Sequence, residues 1–306
     1  MPTVQILVIL LMLAVAYMGV GGVCIVPAFG AILLGCSAQW GCAWRYRPAS
    51  FVAGVGLAAL AGVATVHFVP ELWCARFFVA WGLVALLSLA LKVKLPPLFS
   101  VALLPVFLAS DRWTYVGITV AYAVGLMVWH RWGVRGGDMG KSLHKEDVDL
   151  RKLAIRYGLM ALAFVPLCVV AKCMQNGCFL LPCLAFAFAE WTEPRNEDCA
   201  VGDYTQVSLA ALLGVVADGA AMAVVESLLL PDFGCMTALV YVVACLPALV
   251  LLLGLSKSFK RLFLPSVAIV LFPFLRDAEI GYVLAVNLSS IYLLMCAKCL
   301  RRWCAD

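Results

Sequence analysis

SFVAGVGLAALAGVATVHFVPELWCARFFVAWGLVALLSLALK, residues 50–92, decides the fold class. Two apolar runs, 50–68 and 74–91, flank the short break Pro70-Glu71-Leu72-Trp73. A hydrocarbon core about 30 Å thick asks for ~20 apolar residues per crossing helix. Each run has that length, and neither alternates as a barrel strand would. The sequence therefore predicts membrane-crossing helices joined by a tight turn.

The rest of the chain extends the pattern. Of 306 residues, 65% are hydrophobic and only 13% charged. Soluble proteins carry roughly 25% charge. The mean hydropathy is +1.04. A water-soluble domain could not cover its surface with so few charges. In lipid the backbone must satisfy its own hydrogen bonds, and continuous apolar runs do so as helices. Further full-length candidates are 3–21, 113–130, 157–172, 206–230, 236–254 and 280–297. Four shorter stretches, 23–39, 96–110, 178–190 and 262–275, each contain proline and predict broken or tilted helices. The first charge is Arg45, so 3–21 reads as an uncleaved first helix rather than a signal peptide with a basic start.

The expected architecture is all-α: a polytopic bundle of about 12 membrane segments in two six-segment repeats. Residues 1–132 form the first repeat, 133–156 a polar cytoplasmic linker, and 157–306 the second. Four matches in the same order carry the duplication. Pro70-Glu71-Leu72-Trp73-Cys74 answers Pro231-Asp232-Phe233-Gly234-Cys235. Pro97 and Pro105 are spaced like Pro265 and Pro273. Asp111-Arg112 answers Arg276-Asp277, and Arg131-Trp132 answers Arg302-Trp303.

Loop charges set the orientation. With twelve crossings and a cytoplasmic N-terminus, all of the 22 basic residues except Arg76, Arg112, Lys172 and Arg276 lie inside. A rival with 96–110 and 262–275 re-entrant, five crossings per half and inverted repeats, puts most of them outside. The expectation is thus two parallel repeats in the plasma (inner) membrane, with both termini cytoplasmic.

Several residues bear on function. Asp218 and Glu226 lie eight apart inside 206–230, two turns on loosely the same side. A carboxylate at membrane depth costs at least ~2.5 kcal/mol and ordinarily faces a cavity or a partner. The pair is either a proton- or cation-coupling site, or Glu226 near the outer surface and Asp218 neutralised by a proton or a hydrogen bond. Pro96, Pro97 and Pro265 suit the first turn of a helix, because proline lacks the N–H that goes unused there. They would start half-helices near the cytoplasmic face, whose exposed N–H groups attract anions, or they merely kink packed helices. Arg195 either recruits an anion at a cytoplasmic mouth or pairs with Glu193, Glu197 and Asp198. Asn287 and Tyr115 read as helix–helix glue or as pore lining. Gly54, Ala58 and Gly62 mark close helix packing.

The fourteen cysteines lie mostly inside apolar runs, with no zinc-type spacing, and read as small hydrophobes. Cys74 and Cys235, at matching outer ends, form a disulfide in an oxidising compartment or stay free. His67, His130 and His144 are too scattered for a metal set. Gly136-Gly137-Asp138-Met139-Gly140-Lys141-Ser142 has the wrong spacing for a phosphate-binding loop.

Pro27-Ala28-Phe29-Gly30-Ala31, Arg47-Pro48, Leu95-Pro96-Pro97 and Pro194-Arg195-Asn196 together resemble the HPP family of integral membrane proteins, one family-sized unit per half. The chain departs from its His-Pro-Pro motif, reading Leu95-Pro96-Pro97 and Phe263-Leu264-Pro265, and has the Pro-Arg-Asn signature once. The layout is also similar to fusaric-acid-resistance-like exporters. The resemblance implies transport of a small solute, a small inorganic anion such as nitrite included. The expected function is a transporter or permease, not an enzyme, with a site between the repeats and coupling to protons through Asp218. An intramembrane enzyme acting on a lipid or peptide, or a non-transporting scaffold, is the alternative. Expected partners are a small-molecule or ion substrate and the lipid bilayer, with room for a homo-oligomer. No nucleic acid, cofactor or metal is expected.

Overall fold

Peptide groups in hydrocarbon have no water to bond, and this chain satisfies them within helices. The computed structural model describes residues 48–70, 72–92, 97–133, 149–192, 201–230, 235–255, 269–270, 273 and 280–305. The helices are α1 (Pro48–Phe68), α2 (Trp73–Leu91), α3 (Pro97–Phe107), α4 (Thr114–Gly133), α5 (Leu150–Cys173), α6 (Pro182–Trp191), α7 (Val201–Ser227), α8 (Cys235–Leu255) and α9 (Ile280–Ala305). A 3-10 turn, Gly177–Leu180, precedes α6. There is no strand among the described residues. Five helices are long and apolar enough to cross a membrane: 50–68, 73–91, 150–173, 204–227 and 281–301. The chain is an integral membrane protein of the helical class. The segments 3–21, 23–39 and most of 262–275 lie outside the described residues.

Local chemistry sets the helix limits. Pro48, Pro97 and Pro182 each open a helix, where a missing N–H costs nothing. The carboxylate of Asp149 accepts hydrogen bonds from the backbone N–H of Arg151 (3.0 Å) and Lys152 (3.2 Å) and so starts α5. Residues 150–156, expected in the linker, therefore belong to α5. Lys92 closes α2 in the left-handed conformation, φ 53°. Side chains sort by face: Phe51, Val55, Ala58, Ala59 and Val63 turn inward, while Leu57, Leu60 and Phe68 turn outward. An exposed Leu on such a helix faces lipid and needs no cover.

Two helices are too short to cross. α3 has 11 residues and α6 has 10, about 15 Å at 1.5 Å per residue, half the hydrocarbon core. Ring contacts fix the depth of α3. Phe107 meets Trp73 at the start of α2 (5.7 Å), and Phe99 meets Trp81 near its middle (4.3 Å). α3 is therefore antiparallel to α2, with its N-terminus level with the middle of α2. Pro97 opens α3, and the contact between Phe99 and Trp81 sets that end level with the middle of α2. Every residue of α3 from Pro97 to Phe107 is buried, against α1, α2 and α6.

α5 also runs antiparallel to α2. The Cys74 thiol reaches the Cys168 carbonyl (3.9 Å), Phe77 packs on Phe164 (5.2 Å), and Trp81 Nε1 donates to the Tyr157 carbonyl (3.3 Å). α6 turns back along α5, with Phe188 on Phe164 (5.7 Å), and ends level with Arg156. The half-length helices α3 and α6 thus pack together, the start of α3 level with the middle of α2 and the end of α6 level with Arg156.

Matched geometry recurs in the two parts of the chain. Tyr115 Oη donates to the Val101 carbonyl (2.7 Å), and Tyr282 Oη to the Ile269 carbonyl (2.8 Å). Val101 is four residues after Pro97, as Ile269 is four after Pro265. Gly62 lies against the Ala102 backbone, and Gly214 against the Val270 backbone. The two glycines sit in VGLAALAGV (55–63) and VSLAALLGV (207–215), which differ only at Gly56/Ser208 and Ala61/Leu213. α1 packs on α2 and α4 as α7 packs on α8 and α9.

Candidate functional site

A buried cation lies against the end of α6. Arg156 is buried there, 9% exposed. Its Nη2 donates to the Ala189 carbonyl (2.8 Å) and to Thr192 Oγ1 (2.8 Å), and its Nε to Thr192 Oγ1 (3.1 Å). The last carbonyls of any helix lack intrahelical donors and carry partial negative charge. Arg156 supplies both donor and countercharge to the C-terminus of α6. The opposite polarity stands beside it: by helix geometry, the first N–H groups of α3 have no partner within that helix.

Sequence reading assigned Arg156 to the cytoplasmic loop and missed this role. The signal was present. Leu153, Arg156, Tyr157 and Met160 follow the three–four spacing of one helix face, and all are buried. Starting the helix at the apolar boundary rather than at Asp149 hid that face.

The remaining buried polar atoms scatter over several helices. Trp191 Nε1, Ser88 Oγ, Gln206 Oε1, Asn287 Oδ1 and Ser290 Oγ are buried with no hydrogen-bond partner. Such atoms are few in stable folds and ordinarily meet water or a ligand. Asn287 Nδ2 is spent on the Val283 carbonyl (2.7 Å), one turn back in α9. Ser289 Oγ donates to the Phe179 carbonyl (3.2 Å) and ties α9 to the turn before α6.

The residues expected to carry function are not all brought together. Pro97 is buried at the head of α3. Tyr115 is fully buried with its hydroxyl bound to Val101, so it pins α4 to α3. Asp218 is 4% exposed, one turn beyond Gly214 on the inward stripe formed by Ala210, Ala211, Ala217 and Ala221. Glu226 is exposed at the last turn of α7. Asp218 thus faces the protein and Glu226 the surroundings. Pro96, Pro265 and Arg195 lie outside the described residues. Cys74 meets Cys168, and its thiol is free.

A groove of about 700 Å³ between α7 and α8 is lined only by apolar residues, among them Leu213, Val216, Ala220, Val243 and Leu251. It offers nothing to hold a polar solute. His67 packs on the rings of Phe68 (4.8 Å) and Trp113 (6.1 Å). Among the described residues, no three His, Cys, Asp or Glu side chains gather as a metal site. Comparison with known proteins finds no family model, no curated protein and no solved structure that matches this chain.

Proposed function

We propose that this protein is a transporter or permease for a small solute, built from two six-segment repeats of like orientation with the pathway between them. One observation carries the reading: two half-length helices, α3 and α6, pack against each other, with the start of α3 level with the middle of α2. Non-helical backbone at membrane depth is tolerated only where it is buried in protein or lines a cavity. Broken helices meeting at mid-depth are the recurring way transporters expose backbone dipoles to a solute. The repeated tyrosine and glycine contacts support the duplication, and the bias of basic residues supports cytoplasmic termini.

The N-terminus of α3 presents donors and the positive end of a helix dipole, which favours an anion. The resemblance to the HPP family points the same way, towards a small inorganic anion such as nitrite. Asp218, the inward-facing carboxyl of α7, is the candidate for proton coupling. The test is uptake of nitrite and other small anions into proteoliposomes across a pH series, wild type against Asp218→Asn. The expected result is uptake by the wild type that rises with an inward proton gradient, and a variant that loses the gradient dependence. Uptake indistinguishable from empty liposomes rejects the transport reading. Identical pH profiles reject the coupling role of Asp218.

A further inference from the structure

We infer that Cys74 and Cys168 form a reversible disulfide that ties the first half of the chain to the second. Cys74 is the second residue of α2 and partly exposed, while Cys168 is buried on α5, little more than a turn from its end at Cys173. The Cys74 thiol donates to the Cys168 carbonyl at 3.9 Å, so the two cysteines are direct neighbours across α2 and α5. Both are free as the chain stands. The register that brings them together is held elsewhere. Phe77 packs on Phe164 one turn away (5.2 Å), and Trp81 Nε1 is anchored on Tyr157 (3.3 Å). A disulfide needs Cα atoms about 4.4–6.8 Å apart. With the Cys74 sulfur already against its partner's backbone carbonyl, side-chain rotation within the held register brings the two sulfurs towards each other.

The chemistry is thiol–disulfide exchange. Cys74, the more accessible thiol, loses its proton and attacks one sulfur of an external disulfide, either a small-molecule disulfide or an oxidoreductase. That bond breaks, its second sulfur leaves as a thiolate that takes up a proton, and a mixed disulfide remains on Cys74. Cys168 then loses its proton and attacks the Cys74 sulfur, and the first external sulfur leaves as the second thiol. The two protein thiols are oxidised to one S–S bond, and the external disulfide is reduced to two thiols. The bond itself does not depend on the transport reading. Its consequence does, since it would hold α2 and α5, one from each proposed repeat, against relative movement.

The chain's own cleavage sites make the test specific. Trypsin cuts after Arg76, Arg156 and Lys172, so Cys74 and Cys168 fall on separate peptides and Cys168 parts from Cys173. The purified full chain in detergent is treated with oxidised glutathione, its remaining thiols are alkylated, and the tryptic peptides are weighed without reduction. The expected result is a linked pair carrying Cys74 and Cys168 that rises with oxidant, disappears with dithiothreitol and is missing from Cys168→Ser. Recovery of both peptides alkylated from the oxidised wild type overturns the proposal, and so does Cys74 linked to another cysteine. No solute movement is measured, so failure here leaves the transport reading standing, and failure of transport leaves this bond standing.

Discussion

Gly62→Ala is the sharpest perturbation the fold offers. A Cβ at position 62 would overlap the Ala102 carbonyl oxygen and sit 3.0 Å from the Ala102 carbonyl carbon and Cα. These are backbone atoms of a fully buried helix held on α1, α2 and α6, so no side chain can rotate away. Relief requires α1 and α3 to part by up to about 1 Å, and a gap of that size forfeits a quarter to a half of each dispersion contact across it. Overpacking of this kind costs roughly 1–3 kcal/mol. Alanine's helix preference over glycine returns about 0.5–1 kcal/mol. The expected net loss is about 1–2 kcal/mol, read from the SDS midpoint of helix loss in mixed micelles. Gly82→Ala on α2 is the control, since its Cβ meets nothing within 4 Å; its midpoint should hold or rise. Gly214→Ala should lose stability as well, with its Cβ 2.8 Å from the Val270 carbonyl oxygen. A Gly62→Ala protein as stable as Gly82→Ala would refute the close approach of α1 and α3.

The other substitutions test the same frame from different sides. Tyr115→Phe and Tyr282→Phe each remove a hydroxyl from a buried carbonyl, at 2.7 and 2.8 Å; each should lower the SDS midpoint by about 1 kcal/mol, and a large inequality would count against equivalent roles. Arg156→Met should cost about 1–3 kcal/mol, because it takes the guanidinium from Thr192 Oγ1 and leaves the Ala189 carbonyl with the Thr192 hydroxyl as its remaining donor. Arg156→Lys should restore little of it, because an ammonium cannot reproduce the guanidinium fork; full recovery would show that charge alone suffices. Glu226→Gln, exposed at the end of α7, should leave the midpoint within about 0.5 kcal/mol, and a larger drop would place that carboxylate in a structural contact.

The membrane class was legible because hydrocarbon imposes one length and one hydrogen-bonding solution. The expected runs 50–68 and 74–91 became helices 48–68 and 73–91, within two residues at each end. Helix ends rich in charge were not legible from hydropathy. Expected runs beginning at 157 and ending at 297 became helices beginning at 150 and ending at 305. Arg151, Lys152 and Arg301 extend helices that apolar counting cuts short. The proposed duplication rests, in the sequence reading, on prolines and charge pairs, while the longest match between the two parts of the chain, VGLAALAGV against VSLAALLGV, lies inside helices that all look alike by composition. Only the packing of Gly62 and Gly214 on facing backbones gives those residues a reason to be alike. Asp218 and Glu226 share a spacing but not a surroundings, because α7 outlasts its buried stripe before it reaches Glu226.

Two helices that stop halfway are expensive for a membrane protein, and that cost is itself informative. Each end at mid-depth exposes backbone groups that a continuous helix would bond internally, and each unsatisfied group in hydrocarbon costs several kcal/mol. The chain treats its two ends differently. At the C-terminus of α6, Arg156 and Thr192 both donate to the Ala189 carbonyl, and the guanidinium places a positive charge against the negative end of the dipole. At the N-terminus of α3, Pro97 removes one N–H outright, while Leu98, Phe99 and Ser100 keep theirs without partners inside the helix. The acceptor end thus meets a cation, while the donor end is the positive pole of its own helix. On the transport reading proposed above, donors at the start of α3 beside a cation already committed to α6 are what would attract a negative solute without trapping it.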